Sequence, residues 1–124
     1  MKLIDLNPGG GIGANSLLVE SGSFRFAIDS GLHPKFAGNK ALPDFSLVDH
    51  DSLDFIVLTH CHLDHLGSLP ILSRENPRAP VLVSQASRTL ACRMLNNSIA
   101  VMKRQRAELD LPEYPLYGRG DVAD

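Results

Sequence analysis

The sequence predicts a layered α/β fold, α+β in its opening and alternating thereafter, and three observations predict it. The first third consists of short apolar runs separated by glycine turns. A continuous apolar run, Phe55-Ile56-Val57-Leu58, has the length and composition of a strand buried on both faces. From that run onward, strand-like and helix-like patterns alternate, as they do where helices cover the faces of a sheet.

In chain order, Leu3 to Leu6, Ser16 to Glu20 and Phe24 to Ile28 read as strands, joined by Pro8-Gly9-Gly10-Gly11-Ile12-Gly13 and by Ser21-Gly22-Ser23. Consecutive hairpins are the natural topology for such a run. From Gly31 to Asp54 no period is sustained and Pro34, Gly38 and Pro43 interrupt the chain, so a long loop is expected there. After the strand at 55–58, a helix is expected from about Leu66, with Pro70 in its first turn and Leu66, Leu69 and Leu72 at helical spacing. Asn76-Pro77 should end it. Val81-Leu82-Val83 reads as a further buried strand. Ser84 is the expected N-cap of a helix through Asn96, with Ala86, Leu90, Met94, Ala91 and Leu95 as its apolar face. Asn96-Asn97-Ser98 is expected to break it before Ile99 to Glu108.

The 124 residues include 44% hydrophobic and 21% charged residues, with a formal net charge of −2. These values fit one globular unit and exclude disorder, collagen and a disulfide scaffold. The weak acidity excludes a nucleic-acid grip by bulk charge. No apolar run approaches the roughly 18 residues of a membrane span, and Asp5 interrupts the N-terminus before a signal-peptide core forms. Cys61 and Cys92 have no CxxC spacing and fit reduced thiols, with one bridge between them as the alternative, and a cytoplasmic protein is expected.

The chemistry is concentrated in Thr59-His60-Cys61-His62-Leu63-Asp64-His65, which holds three of the five histidines. In an extended chain leaving a strand, alternate side chains share a side, so His60 and His62 are placed to hold one metal ion with Asp64 nearby. His65 changes direction as the helix begins. Two adjacent metals are thereby suggested, one taken by His60 and His62 and the other by Asp64 and His65, as two-metal hydrolysis requires. Gly67 is expected to let the backbone pass close to the cluster. Asp29, at the end of a neighbouring strand, is placed to accept a hydrogen bond from a metal-binding histidine without touching the metal itself.

These residues resemble the N-terminal half of a metallo-β-lactamase-fold hydrolase, whose HxHxDH signature follows a buried strand. The turn from Gly9 to Gly13 with Asn15 to Glu20, the strand ending Ala27-Ile28-Asp29-Ser30-Gly31, and Leu53 to His60 occur in the matching order. Asp29-Ser30-Gly31-Leu32-His33-Pro34, Ala41-Leu42-Pro43-Asp44-Phe45 and Leu66-Gly67-Ser68-Leu69-Pro70 are most similar to the β-CASP group, which cuts RNA or DNA. Gly13-Ala14-Asn15-Ser16 departs from the Arg-Ser-Cys-like element of many β-CASP members. The resemblance spans roughly residues 1–95. It implies an αββα sandwich and two zinc ions, with phosphodiester hydrolysis by a hydroxide that they hold. RNA or another single-stranded nucleic acid is the implied substrate.

Such a site is completed by further histidines and an aspartate downstream, and no histidine occurs after His65. Residues 1–124 are therefore expected to be an incomplete domain, the N-terminal half of the sandwich and inactive alone. A small-molecule hydrolase of the same fold, acting on a thioester, lactone or lactam, is the alternative enzyme, and a non-catalytic truncated protein the alternative without turnover. Of the remaining residues, Cys61 should point away from the metals, His50 between Asp49 and Asp51 should be solvated, and His33 should pin its own loop, with an approach to the substrate cleft as the alternative. Arg88, Arg93, Lys103, Arg104 and Arg106 read as a solvated face with a phosphate-binding alternative.

Overall fold

Alternation along the first three strands turns Ile4, Leu18 and Ala27 to one core-facing side, and the strands follow one another as antiparallel neighbours. A computed structural model of the chain describes residues 1–7, 14–33, 38–108 and 115–117. Strands β1 (Lys2–Asp5), β2 (Leu17–Ser21) and β3 (Phe24–Ile28) pair antiparallel in sequence order. Between β2 and β3 only Gly22 and Ser23 intervene, and Gly22 takes the left-handed conformation, φ 61°, that a tight hairpin turn needs. The predicted turn from Gly9 to Gly13 and the tail beyond Tyr117 lie outside the described residues.

β4 (Phe55–Val57) then pairs parallel to β3, and β5 (Val81–Leu82) parallel to β4, giving a five-stranded sheet in the order β1-β2-β3-β4-β5. The mixed α/β architecture expected from the pattern is the one observed. Because β3, β4 and β5 run the same way, their carboxyl ends open on one side of the sheet, where ligands of open α/β sheets characteristically sit.

The register separates two faces. Ile4, Leu18, Ala27, Ile56 and Val81 are mutual partners across all five strands, and Leu18, Ala27 and Ile56 are fully buried. They pack with Leu66, Leu72, Ala91, Leu95, Ile99 and Met102 from the helices. The opposite face carries Leu3, Val19, Phe26 and Phe55 in one row and Leu17, Ile28, Val57 and Leu82 in the next. Phe26 and Phe55 stack at 4.6 Å, yet Leu3 is 59% and Leu82 50% exposed. Phe55 and Val57 are only half-buried. The β4 run is thus covered on one face, not on both as predicted, because the described helices all pack on the other side.

Helical structure begins three residues earlier than predicted and in two pieces, α1 (Leu63–Leu66) and α2 (Leu69–Glu75). Asp64 fits the first turn of α1, where a negative charge faces the positive end of the helix dipole. Pro70 sits in the first turn of α2, where no intrahelical N–H is lost, and Asn76 caps its end. The predicted loop at 31–54 includes two ordered 3₁₀ turns, Gly38–Ala41 and Phe45–Leu47. Ser84 caps α3 (Gln85–Glu108), its Oγ accepting from Ser87 N at 3.2 Å.

The break expected at Asn96-Asn97-Ser98 does not occur. None of the three is a helix breaker by geometry, their propensity cost is a few tenths of a kcal/mol each, and Ser98 Oγ accepts from the Tyr117 hydroxyl at 3.1 Å inside the core. The buried seam runs through Ala91, Leu95, Ile99 and Met102, while Ala86 is exposed and Leu90 is 50% exposed, so the seam is rotated from the predicted one. Among the described residues no helix is long and apolar enough to cross a membrane.

Candidate metal centre

The parallel pairing of β3 with β4 sets the two strand ends side by side, and the site grows from that juxtaposition. Asp29 N donates to Val57 O at 2.8 Å, one step past the end of β3. There the backbone turns left-handed, φ 63°, a conformation that aspartate tolerates better than most residues. The turn brings the carboxylate, only 5% exposed, under the end of β4. Its Oδ1 accepts from Thr59 N at 2.7 Å and its Oδ2 from Thr59 Oγ1 at 2.6 Å. Oδ2 also accepts from His65 Nδ1 at 2.9 Å.

These bonds fix two imidazoles. A carboxylate only accepts, so His65 Nδ1 carries the proton and Nε2 is left with its lone pair. Thr59 has one hydroxyl proton and gives it to Asp29, so toward His60 Nδ1, 3.0 Å away, the hydroxyl can only accept. His60 therefore carries its proton on Nδ1 as well. Both rings present a bare Nε2, the form in which neutral imidazole binds a metal.

The turn that carries His62, Asp64 and His65 is strapped to the 29–32 segment. Ser30 N donates to His65 O at 2.7 Å, Leu32 N to Leu63 O at 2.8 Å, and Asn15 N to Asp64 O at 3.0 Å. Asn15 Nδ2 donates to the same carbonyl at 2.9 Å and reaches Asp64 Oδ2 at 3.4 Å. Beneath it, the buried Ser68 hydroxyl donates to Gly31 O at 2.8 Å and lies 2.7 Å from Ser30 Oγ. A Cβ on Gly31 would run into the Asp64 carbonyl and come within 2.9 Å of His65 N. Gly67, assigned this role from the sequence, instead lies against Leu63 O and the Leu32 side chain. Gly31 is the glycine that the cluster needs.

His60 lies against His65, ring centroids 4.7 Å apart, and 6.5 Å from His62. His65 Nε2 is 3.8 Å from Asp64 Oδ2. Among the described residues no three His, Cys, Asp or Glu side chains are close enough together to hold an ion as they stand. The donors suit zinc by chemistry: two donors on a tetrahedral zinc sit roughly 3.3 Å apart and two imidazoles sharing one have centroids about 5 Å apart. Against these figures the Asp64–His65 donors at 3.8 Å stand slightly wide, the His60 and His65 rings at 4.7 Å match the second, and the exposed His60 and His62 rings at 6.5 Å lie beyond it.

Cys61 turns to the other side of the chain, its Sγ donating to Ser87 O at 3.5 Å, and both cysteines are free thiols. His50 is exposed to solvent as expected, and its Nδ1 also meets Glu75 Oε2 at 3.0 Å across the α2 end. His33 N donates to Ala41 O at 2.8 Å, holding its loop through the backbone. Spacing in the sequence does not single out Thr59, Asn15 or Gly31 as site residues. Their signal lies in the small and polar residues flanking the motif and the β3 end, which have meaning only once the two strand ends are known to be neighbours.

Residues 9–91 match the sequence profile of the Metallo-beta-lactamase superfamily. Among curated proteins the chain is similar to Endoribonuclease ysh-1 of Neurospora crassa, 31% identical over 81% of this chain and 12% of that protein. It is also similar to Cleavage and polyadenylation specificity factor 73 of Drosophila melanogaster, 28% identical over 82% of this chain and 15% of that protein. The chain thus spans less than a sixth of the length of these relatives. Among solved structures, an archaeal metallo-beta-lactamase superfamily protein from Sulfolobus tokodaii superposes with a TM-score of 0.55 and 27% identity, over 85% of this chain and 41% of that one.

Proposed function

The chain belongs to the metallo-beta-lactamase superfamily, and from that premise we propose that it is the N-terminal half of a zinc-dependent endoribonuclease of the β-CASP kind. In this reading His60 and His62 hold one zinc ion, Asp64 and His65 hold a second, and Asp29 orients His65. RNA, the substrate that the names of the similar endoribonucleases imply, is the substrate class. The observation that carries the reading is the pair of imidazoles whose Nδ1 protons are both fixed through Asp29 and Thr59.

Zinc bound there supplies the Lewis-acid charge that activates water for attack on a phosphodiester. The chain's own residues prepare for it. Asp29 and Thr59 hold the Nδ1 protons of His65 and His60, so that neither ring need change tautomer to bind. Asn15 and Gly31 fix the Asp64–His65 peptide, and with it the direction of the Asp64 carboxylate. Residues 1–124 form an incomplete domain, and the second layer of the sandwich, expected to supply the remaining ligands, covers the half-exposed face bearing Phe26 and Phe55. A reducing compartment, the cytoplasm in this reading, is compatible with the two free thiols.

The test uses the full-length protein that carries this chain, with zinc counted by elemental analysis and cleavage measured on a single-stranded RNA and a chromogenic lactam. About two zinc ions per chain and RNA cleavage lost in a D64A variant are expected. Lactam turnover without RNA cleavage would assign the small-molecule chemistry instead.

A further inference from the structure

The head of α3 lies beside the chain segment that carries the metal ligands, on the side to which Cys61 points. Ser87, in its first turn, accepts the hydrogen bond from Cys61, which stands between His60 and His62 in the chain. One residue on, a shallow depression of about 450 Å³ opens, lined by Gln85, Arg88, Thr89, Arg93 and Asn96 with Cys92 at its floor. Arg88 and Arg93 are exposed, and no described acid pairs with either.

Their placement runs against helix electrostatics. The first turn of a helix favours Asp or Glu, and α3 has none there; it has Arg88 close behind instead. From Gln85 to Ala107 the helix carries five cations and no acid, and only Arg104 has an acid, Glu108, at i,i+4, so Arg88 and Arg93 have no such pair. Lys103, Arg104 and Arg106 at the far end suit the negative end of the dipole. Arg88 and Arg93 do not, and in a chain of net charge −2 they concentrate positive charge at the head of α3.

We propose that this head of α3 binds single-stranded RNA, with Arg88 and Arg93 holding successive backbone phosphates and leading the strand to the His60–His65 cluster. The proposal rests on the ribonuclease reading. Guanidinium groups match phosphate oxygens bidentately. The amides of Gln85 and Asn96 and the Thr89 hydroxyl add donors and acceptors for base edges, which a single strand exposes and an A-form duplex hides in its deep major groove. The cations at 103, 104 and 106 continue the track along the same helix.

The test measures binding, not turnover. A fluorescent single-stranded RNA is titrated into the chelator-treated full-length protein across a salt series, for wild type, an R88Q/R93Q double variant and a K2Q control on the remote β1 edge. Each lost phosphate contact removes about 0.7 from the slope of log K against log salt, so the double variant should lose roughly 1.4 in slope and about tenfold or more in affinity near 0.1 M salt. K2Q should match wild type, and a duplex RNA of equal length should be bound less well. Wild type and R88Q/R93Q with equal affinity and slope would overturn the α3 track while leaving the ribonuclease reading in place. No RNA binding by wild type at any salt would overturn both. Equal displacement of RNA by polyglutamate of the same charge would overturn the proposal in favour of an acidic-protein face.

Discussion

Replacing Asp29 by asparagine changes one oxygen for an NH₂ group, and the hydrogen bonds around that group determine how the site responds. Oδ1 accepts one proton, from Thr59 N, while Oδ2 accepts two, from Thr59 Oγ1 and His65 Nδ1. Asparagine can keep its carbonyl toward Thr59 N only by aiming its NH₂ at Thr59 Oγ1 and His65 Nδ1. Turned the other way, it would set donor against donor at the Thr59 amide. In the first arrangement Thr59 Oγ1 accepts from the amide and gives its own proton to His60 Nδ1, and His65 Nδ1 must become an acceptor. Both imidazoles then move their protons to Nε2, the nitrogen that a metal would need. Three charge-assisted bonds, each contributing about 1.5–3 kcal/mol, are exchanged for neutral ones of about 1 kcal/mol, a destabilisation of roughly 1.5–6 kcal/mol. For metal affinity the expected loss is about 10 to 100-fold.

The assay is long-range ¹⁵N–¹H correlation NMR on metal-free protein, which reports which ring nitrogen carries the proton. Wild type should show His60 and His65 both protonated on Nδ1, and D29N both on Nε2. Thr59→Val separates the two rings: His60 loses its hydroxyl acceptor while His65 keeps Asp29, and T59S should restore wild-type behaviour. Wild-type rings already protonated on Nε2, or a D29N spectrum with unchanged tautomers, would refute the network.

Gly31→Ala should cost about 3–5 kcal/mol, because its Cβ displaces the Asp64–His65 peptide, breaks the bonds that Asn15 makes to Asp64 O and disturbs the neighbouring bond from Ser30 N to His65 O; urea unfolding within about 1 kcal/mol of wild type would contradict this. Asn76→Ala, at a residue 0% exposed, removes the acceptor of Ser52 N and Leu53 N and the donor to Leu72 O. It should lower stability by roughly 2–4 kcal/mol with an unchanged m-value, and an unmoved midpoint would show that water replaces the amide. The 124-residue chain expressed alone, with two protein ligands for each proposed zinc, should retain little zinc after dialysis and cleave neither RNA nor lactam. Two firmly held ions with steady turnover would contradict the two-ligand count.

Much of the fold is legible in the sequence because local pattern and tertiary demand agree. Strands β1 to β3 are joined by turn residues, and Ser84 and Asn76 sit where helix ends need them. Pattern misleads where local preference is weak and packing is not. Asn96-Asn97-Ser98 has poor helix propensity, but Ile99 and Met102 beyond it are buried at 3% exposure each, and their burial outweighs a propensity cost of well under about 2 kcal/mol in total. The β4 run reads as buried on both faces because an apolar strand with one face left half-exposed carries the same residues as one covered on both.

The site divides along a different line. His60, His62, Asp64 and His65 are near one another in sequence, so spacing alone identifies them, and a carboxylate at the end of β3 suggests itself as a partner. What spacing cannot supply is the direction in which β3 and β4 run relative to each other. Antiparallel pairing would have sent Asp29 and Thr59 to opposite ends of the sheet; parallel pairing, reached through the crossover at 29–54, brings Asp29 Oδ2 within 2.6 Å of Thr59 Oγ1. Gly31 and Asn15 acquire their roles from the same choice, since the 29–32 segment must then cross the first turn of α1. The residues that tune the motif are therefore set by topology, and an Asp-Ser-Gly run ending one strand and a threonine ending its parallel neighbour should be read together whenever an HxHxDH run comes next.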